Sequence, residues 1–586
     1  MRLSLSLVAA ISEILFIGNV QAIPSPLAEL TNHGSGSCNT ASNRACWRDG
    51  FDIYTDYEIK TPPGKVKKFH LEITEHDHWK GPDGRVKDKV MLINNQFPGP
   101  TLVADWGDTL EITVTNKLRI NGTSIHWHGI RQLKTNIQDG ANGVTECPLP
   151  PGSSKKYTFR ATQYGTTWYH SHFSAQYTDG VFGTIVINGP ASLPYDIDLG
   201  PYPIFDYYLK TAERIVLDTQ SNPAAPPSDN VLFNGSNINP MGPGGRYSKV
   251  TLTPGKRHRL RLINPSSEHN FQVSIVGHDM TVIATDFVPV NAFTTNNVFL
   301  GIGQRVDVTI DASKPVGNYW MNVTMFAENL CGISNNPFPA AIIHYAGAPD
   351  HRNPTDPGTA PANTDCLDGQ SFSPVVRRTA PLSAFHPGDG GGSDLNVTVA
   401  LPPSAPIVTW QVDNSSMRVD WGRPVLEYVM EGNRSYPRAE NIVSVDARDA
   451  WSFWVIEDLT GIPHPVHLHG HDFVVAGRSG AGAGPFDAAR DAGALRADNP
   501  VRRDVTMLPP GGWVVLAFRT DNPGAWLFHC HIAWHVSGGF GVDFLERVDD
   551  QLAQISREDA AAFNENCEAW RSYYARSPWK QIDSGL

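Results

Sequence analysis

The sequence predicts an all-β protein assembled from several consecutive units. Three observations lead there. At 586 residues the chain exceeds one ordinary domain and fits roughly three to four. Its 52 glycines and 45 prolines punctuate it into short segments. Those segments favour β-branched and aromatic residues, and long amphipathic runs are few. An apolar content of 40% is ample for sizeable cores, and a formal net charge of -12 argues against nucleic acid as a partner.

The N-terminus reads as an export signal over residues 1–22. Arg2 precedes the apolar run from Leu3 to Gly18, and Val20-Gln21-Ala22 fits a small-residue cleavage site, although Glu13 interrupts the run. Residues 23–37 are small and polar and read as a propeptide or a disordered leader. No other stretch is long and apolar enough to span a membrane. A secreted, extracellular protein is therefore expected; no residue pattern sets its oligomeric state, and a monomer is the default expectation. The six sequons at Asn121, Asn234, Asn322, Asn396, Asn414 and Asn433 fit that compartment. So do the seven cysteines, of which six can pair. Cys530 is the natural odd one, because histidines flank it.

The strand signals begin at Val90. The runs from Val90 to Ile93, Thr101 to Ala104 and Thr109 to Thr115 are separated by Pro-Gly-Pro and Trp-Gly-Asp. His76 and His78, just upstream, read as solvated surface residues. Next come His126-Trp-His128 and, some forty residues later, His170-Ser-His172. On a strand each His-x-His pair projects both imidazoles from one face. The middle of the chain repeats the rhythm without the histidines: Asn318 to Thr324 takes the place of Thr167 to His172. The stretch from Pro349 to Asp394 reads as a linker or surface excursion. A third unit restores the ligands with His464-Pro-Val-His467-Leu-His469-Gly-His471 and His529-Cys530-His531-Ile-Ala-Trp-His535. Ser479 to Asn499 reads as an inserted surface loop, and the tail after Glu546 has helical character.

A lone His-Cys-His is also half of a zinc site. The pattern across the chain is what decides. Random placement of 21 histidines among 586 residues gives about one His-x-His pair, whereas six are present, concentrated in the first and last units. On a strand, Cys530 points away from His529 and His531. A thiolate with two imidazoles is a blue-copper donor set. The four pairs 126/128, 170/172, 467/469 and 529/531 supply eight more imidazoles, which suffice for three further metals. Several coppers held close together can pass the four electrons that reduce dioxygen to water.

These motifs resemble the four copper signatures of the multicopper oxidases, nearest to the ascomycete laccases. Further pointers to that branch are Cys38-Asn-Thr-Ala-Ser-Asn-Arg-Ala-Cys46-Trp near the start and Asp-Ser-Gly-Leu at the end. The resemblance implies three consecutive cupredoxin-like Greek-key β-barrels over residues 38–190, 191–374 and 375–586, the middle one without copper. It implies four copper ions. His464, Cys530 and His535 would hold the type 1 ion, and His126 and His467 the type 2 ion. His128, His170 and His531 would hold one type 3 ion, and His172, His469 and His529 the other. It implies the disulfides Cys38–Cys46, Cys147–Cys567 and Cys331–Cys366. Glu268 takes the place of an acid that accepts the donor's proton, and Asp139 that of an acid supplying protons to reduced oxygen. Phe540 stands at the axial position of the type 1 ion, where it offers no donor and implies a high potential. Asp583, Ser584, Gly585 and Leu586 would plug the channel to the inner site.

The implied activity is that of a laccase, with small phenolic or aromatic donors and dioxygen as partners. The alternatives are a metallo-oxidase, a bilirubin oxidase or a copper-binding electron carrier. Nine methionines without a Met-rich insert argue against a cuprous-ion oxidase. Phe540 argues against a bilirubin oxidase, and the complete inner ligand set against a carrier.

Overall fold

The computed structural model describes residues 38–586 except 223, 360, 362–364, 387–393 and 401–407, with backbone only for 394–400. The expected signal peptide and propeptide lie outside the described residues. The all-β, three-barrel expectation is met, because one strand order occurs three times. In the first barrel one sheet runs Val86–Ile93, Val66–Lys80, Thr109–Asn116, Ser154–Arg160 in space, and the other Gly99–Asp105, Phe182–Asn188, Gly165–His170, His126–Trp127. The second and third barrels repeat both orders and extend them to six and five strands. Each barrel keeps two parallel pairs at equivalent places, such as Val66–Lys80 with Thr109–Asn116 and Arg257–Ile263 with Ile197–Tyr207.

Alternation builds the cores. In Thr109–Asn116 the buried Leu110, Ile112 and Val114 face inward and the residues between them are half-exposed. The sheet position of Gly165–His170 is filled by Asn318–Thr324 in the second barrel and Gly524–Cys530 in the third. That of His126–Trp127 is filled by Phe271–Ile275 and His464–Leu468.

Two findings differ from expectation. The strand Val66–Lys80, 15 residues long, precedes the first expected one. Its buried Leu71 and Ile73 alternate correctly, but its outward face is so charged that the pattern reads as a loop. His76 and His78 lie exposed at its far end. The second is the stretch from Pro349 to Asp394, expected as a linker or surface excursion: it is exposed over much of its described length but tied down in its middle. Cys366 is bonded to Cys331, and the buried Asp368 accepts hydrogen bonds from Arg478 and Arg503. The inserted loop is exposed and holds the short helix Ala488–Asp491. The tail forms the helix Arg557–Tyr574, capped by the Ser556 hydroxyl, and Cys567 joins it to Cys147 of the first barrel. Cys38 and Cys46 form the third disulfide, and Cys530 is a buried free thiol.

Candidate metal centre

The site follows from strand parity. Along Gly524–Cys530, Trp526, Phe528 and Cys530 join the large core cluster that holds Trp454, Val466 and Leu468 of their own barrel, while Ala525 and Leu527 pack in a different cluster shared with the first barrel and the tail. His529 and His531 therefore face the first barrel. On His464–Leu468, Val466 and Leu468 are core, so His464 shares their face and His467 does not. Antiparallel pairing sets His467 opposite His529, and in the first barrel His126 opposite His170. Burying the even face of each strand thus sorts the donors into two sets.

The first set is His464 and Cys530 from the even strand faces with His535 from the following helix, all buried, with donor atoms within 4.8 Å of one another. Nδ1 of His464 lies 3.7 Å and Nδ1 of His535 3.6 Å from Sγ of Cys530. His464 is fixed from behind: Nε2 meets Oγ1 of Thr460 at 3.1 Å, with Asp458 3.6 Å away. His535 sits on the helix Ala533–Ser537 and stacks on Trp410 with ring centroids 3.6 Å apart. It is 7% exposed and His464 is 0%, so His535 offers the edge nearer to solvent. The ring of Phe540 lies 5.1 Å from that of His464 and is fully buried.

The second set gathers eight imidazoles between the first and third barrels. His172, His469 and His529 bring donor atoms within 4.8 Å, and Nε2 of His469 and His529 are 3.3 Å apart. Nε2 of His531 lies 3.3 Å from Nδ1 of His128. His126 groups with His128 and His170, and also with His467 and His469. Backbone carbonyls take the outward nitrogen of four rings. Nδ1 pairs with Asp139 from His126, with Ser171 from His170, with Asp504 from His467 and with Cys530 from His529. Donation from Nδ1–H to a carbonyl leaves the Nε2 lone pair inward, as a metal ligand requires. Asp139 bridges the barrels: its carboxylate accepts from Nδ1 of His469 at 2.8 Å and its carbonyl from His126 at 2.9 Å.

These residues fit copper by their own chemistry. Buried ring nitrogens of His126, His128, His170, His172, His467 and His531 have no hydrogen-bond partner, which is costly unless a ligand satisfies them. Burial first, then neighbouring imidazoles, pushes His128, His170, His467 and His469 well below the ordinary histidine range. Burial likewise lowers His529 to about 4. These rings stay neutral, with lone pairs free. Burial pushes the Cys530 thiol well up, so its ionisation needs a cation bound at sulfur. Soft sulfur with imidazole favours copper.

Glu268 lies on the loop after Arg257–Ile263, and the neighbouring Ser267 carbonyl accepts from the N–H of Ala533 at 2.8 Å. That bond holds the loop against the helix carrying His535. Glu268 is buried and its Oε2 has no partner. Burial, then the charge of Asp206, pushes its pKa well up. The segment Asp583 to Leu586 is buried between barrels. Ser584 N–H donates to Ser537 at 2.8 Å, Trp421 Nε1 donates to Gly585 at 2.8 Å, and the Ser174 hydroxyl donates to Asp583. Leu586 packs in the cluster with Ala141, Val144 and Phe173, next to the chain that carries His172. Burial raises Asp583 to about 6.

Several partners are invisible to motif reading: Asp504, which holds His467, Trp410 under His535, Asp458 and Thr460 behind His464, and Asp206. Each is a single residue with no repeated spacing. The one usable signal was the run Arg502-Arg503-Asp504, whose charges are buried.

The chain matches the multicopper oxidase family at residues 74–192, 200–348 and 401–550. It is 58% identical to Laccase-1 of Melanocarpus albomyces, covering 94% of this chain and 89% of that protein. It is 55% identical to the laccase of Cryphonectria parasitica, covering 96% and 97%. The crystal structure of the laccase from Botrytis aclada superposes with a TM-score of 0.86 at 37% identity, over 94% of this chain and 100% of that one. Placed beside the two donor sets sorted by strand parity, these likenesses settle the family: the chain is a multicopper oxidase.

Proposed function

We propose that the chain is a secreted laccase that oxidises phenolic or similar aromatic donors one electron at a time and reduces dioxygen to two waters. Identity to fungal laccases supports the activity, and three disulfides with six sequons support an oxidising, extracellular setting. Among the described residues no helix is long and apolar enough to cross a membrane. One observation carries the reading: Cys530 faces His464 and His535, while the residues on either side of it face the inner imidazoles.

In this reading His464, Cys530 and His535 hold an outer copper. Inside, His126 and His467 hold one ion, His128, His170 and His531 a second, and His172, His469 and His529 a third. Bound copper supplies one-electron oxidation at the outer site and four-electron reduction of dioxygen at the inner group. The chain supplies the rest. A single peptide link joins Cys530 to each of His529 and His531, so the covalent route between sites is short. His535 presents its edge to the donor, and Glu268 takes the proton the phenol releases. Asp139, hydrogen-bonded to His126 and His469, is placed to pass protons inward.

Oxygen uptake with a panel of donors tests this reading. Uptake with simple phenols, four per dioxygen, is expected. Uptake with bilirubin or metal ions alone would replace it by one of the other oxidases, and none at all by an electron carrier.

Two variants probe the edges of the site. Phe540→Met adds a weak axial sulfur and is expected to lower the reduction potential of the outer copper in a redox titration. An unchanged or higher potential would remove the axial role. Deleting Asp583 to Leu586 removes a buried leucine, at a cost of about 2 kcal/mol in lost burial, and is expected to open a path to the inner site. Turnover is expected to change severalfold, and unchanged steady-state kinetics would remove the plug.

A further inference from the structure

The middle barrel carries no ligand histidine, yet one of its side chains reaches the inner cluster. Arg305 opens the strand Arg305–Asp311 and is fully buried. Its Nη1 and Nη2 donate to Oδ1 and Oδ2 of Asp504, each at 2.6 Å. Nε donates to the carbonyl of Thr166 in the first barrel at 3.1 Å, and Nη1 also to that of Gly303 at 3.2 Å. Asp504 belongs to the third barrel. Its carbonyl accepts from Nδ1 of His467 at 2.7 Å, and its Oδ1 lies 3.3 Å from Nε2 of His128. One guanidinium thus contacts all three barrels, and the residue it grips accepts a hydrogen bond from His467 of the third barrel and sets its carboxylate against the ring of His128 of the first.

The surroundings are shaped around this pair. At Gly129, beside His128, a Cβ would stand 2.4 Å from Oδ2 of Asp504 and 2.6 Å from Nη2 of Arg305. At Gly303 a Cβ would stand 3.0 Å from His531 and 3.1 Å from His128. Asp286 of the middle barrel completes the frame, accepting the N–H of Arg305 at 3.0 Å and that of Asp504 at 3.1 Å. A buried ion pair adds little net stability over apolar packing; what it adds is directional, two-point geometry.

We propose that Arg305 is a positioning residue, and that the copper-free barrel uses the Arg305–Asp504 pair to fix His128 and His467 so that the ligands of the first and third barrels meet in register. The proposal rests on the assignment of these two histidines to the inner coppers.

Arg305→Lys keeps the charge and loses the fork. Copper is removed from parent and variant by graded chelator, with total copper and the blue absorption of the Cys530 site followed separately. The parent should hold four coppers. The variant should keep its outer copper at the parental chelator midpoint and lose inner copper at about 10- to 100-fold weaker chelation, while its melting temperature falls because a buried fork is broken. Asp504→Asn, which keeps the shape and removes the charge, should behave alike. A parent with fewer than four coppers would overturn the histidine assignment beneath the proposal. Inner copper held within about twofold of the parent would overturn the proposal itself. So would equal weakening of both sites, or failure of both variants to fold, since the pair would then serve the fold and not the histidines.

Discussion

Cys530→Ser is expected to abolish the outer copper and nearly all oxygen uptake while leaving the fold in place. The hydroxyl is close in size to the thiol, and Cys530 sits in a core that also holds Val466, Leu468, Trp526 and Phe528, so packing survives the change. What is lost is the only soft donor between His464 and His535. The covalent route from that site to His529 and His531 then begins at no metal. Turnover with phenols should fall by roughly three orders of magnitude or more, the scale seen when a residue that acts as part of a unit is removed. Copper analysis should find the inner ions retained. Oxygen uptake within about tenfold of the parent would show that electrons enter by another door.

Glu268→Gln should lower kcat/KM for phenols by about 100-fold, the usual contribution of a positioned proton acceptor. A donor that gives up an electron and no proton should be unaffected. The pH dependence is fixed by sign. Burial and then Asp206 raise the pKa of Glu268, so the accepting carboxylate forms only above the ordinary carboxylate range. Parental activity on phenols should therefore climb as pH rises through that raised value, and the glutamine variant should lack this limb. Stability moves the opposite way. A carboxyl whose folded pKa is raised supports the fold in full below its unfolded value and loses that support as pH rises through the folded one. Glutamine removes the loss, so the variant should melt higher than the parent at neutral pH and the same in acid. An equal fall for both kinds of donor would reduce Glu268 to a packing residue.

Much of the site was legible because two simple periods coincide. Strand alternation buries Trp526 and Phe528, and the same alternation throws His529 and His531 to the other side of Cys530. His464 and His467 are three apart and so fall on opposite faces of one strand. The absence of histidines from Asn318 to Thr324 likewise led to the expectation that the middle barrel holds no copper. What was not legible lies in single residues brought close by the barrels' packing. Trp410, Asp504 and Asp206 are separated from the groups they hold by tens to hundreds of residues and leave no spacing to read. Arg305 is the clearest case. It lies in the barrel with no copper ligands, and its purpose shows only once Asp504 is seen between it and His467. The strand Val66–Lys80 was hidden for a different reason: its solvent face is charged enough to mask the alternation beneath.

A buried thiolate and its two neighbouring imidazoles should join an outer copper to an inner group of three. Anaerobic titration of the fully loaded protein with a one-electron reductant tests it most directly. Four reducing equivalents should be taken up per chain, with the blue colour of the Cys530 site bleaching as the inner ions fill. Uptake of a single equivalent, with the blue colour lost in one step, would contradict it.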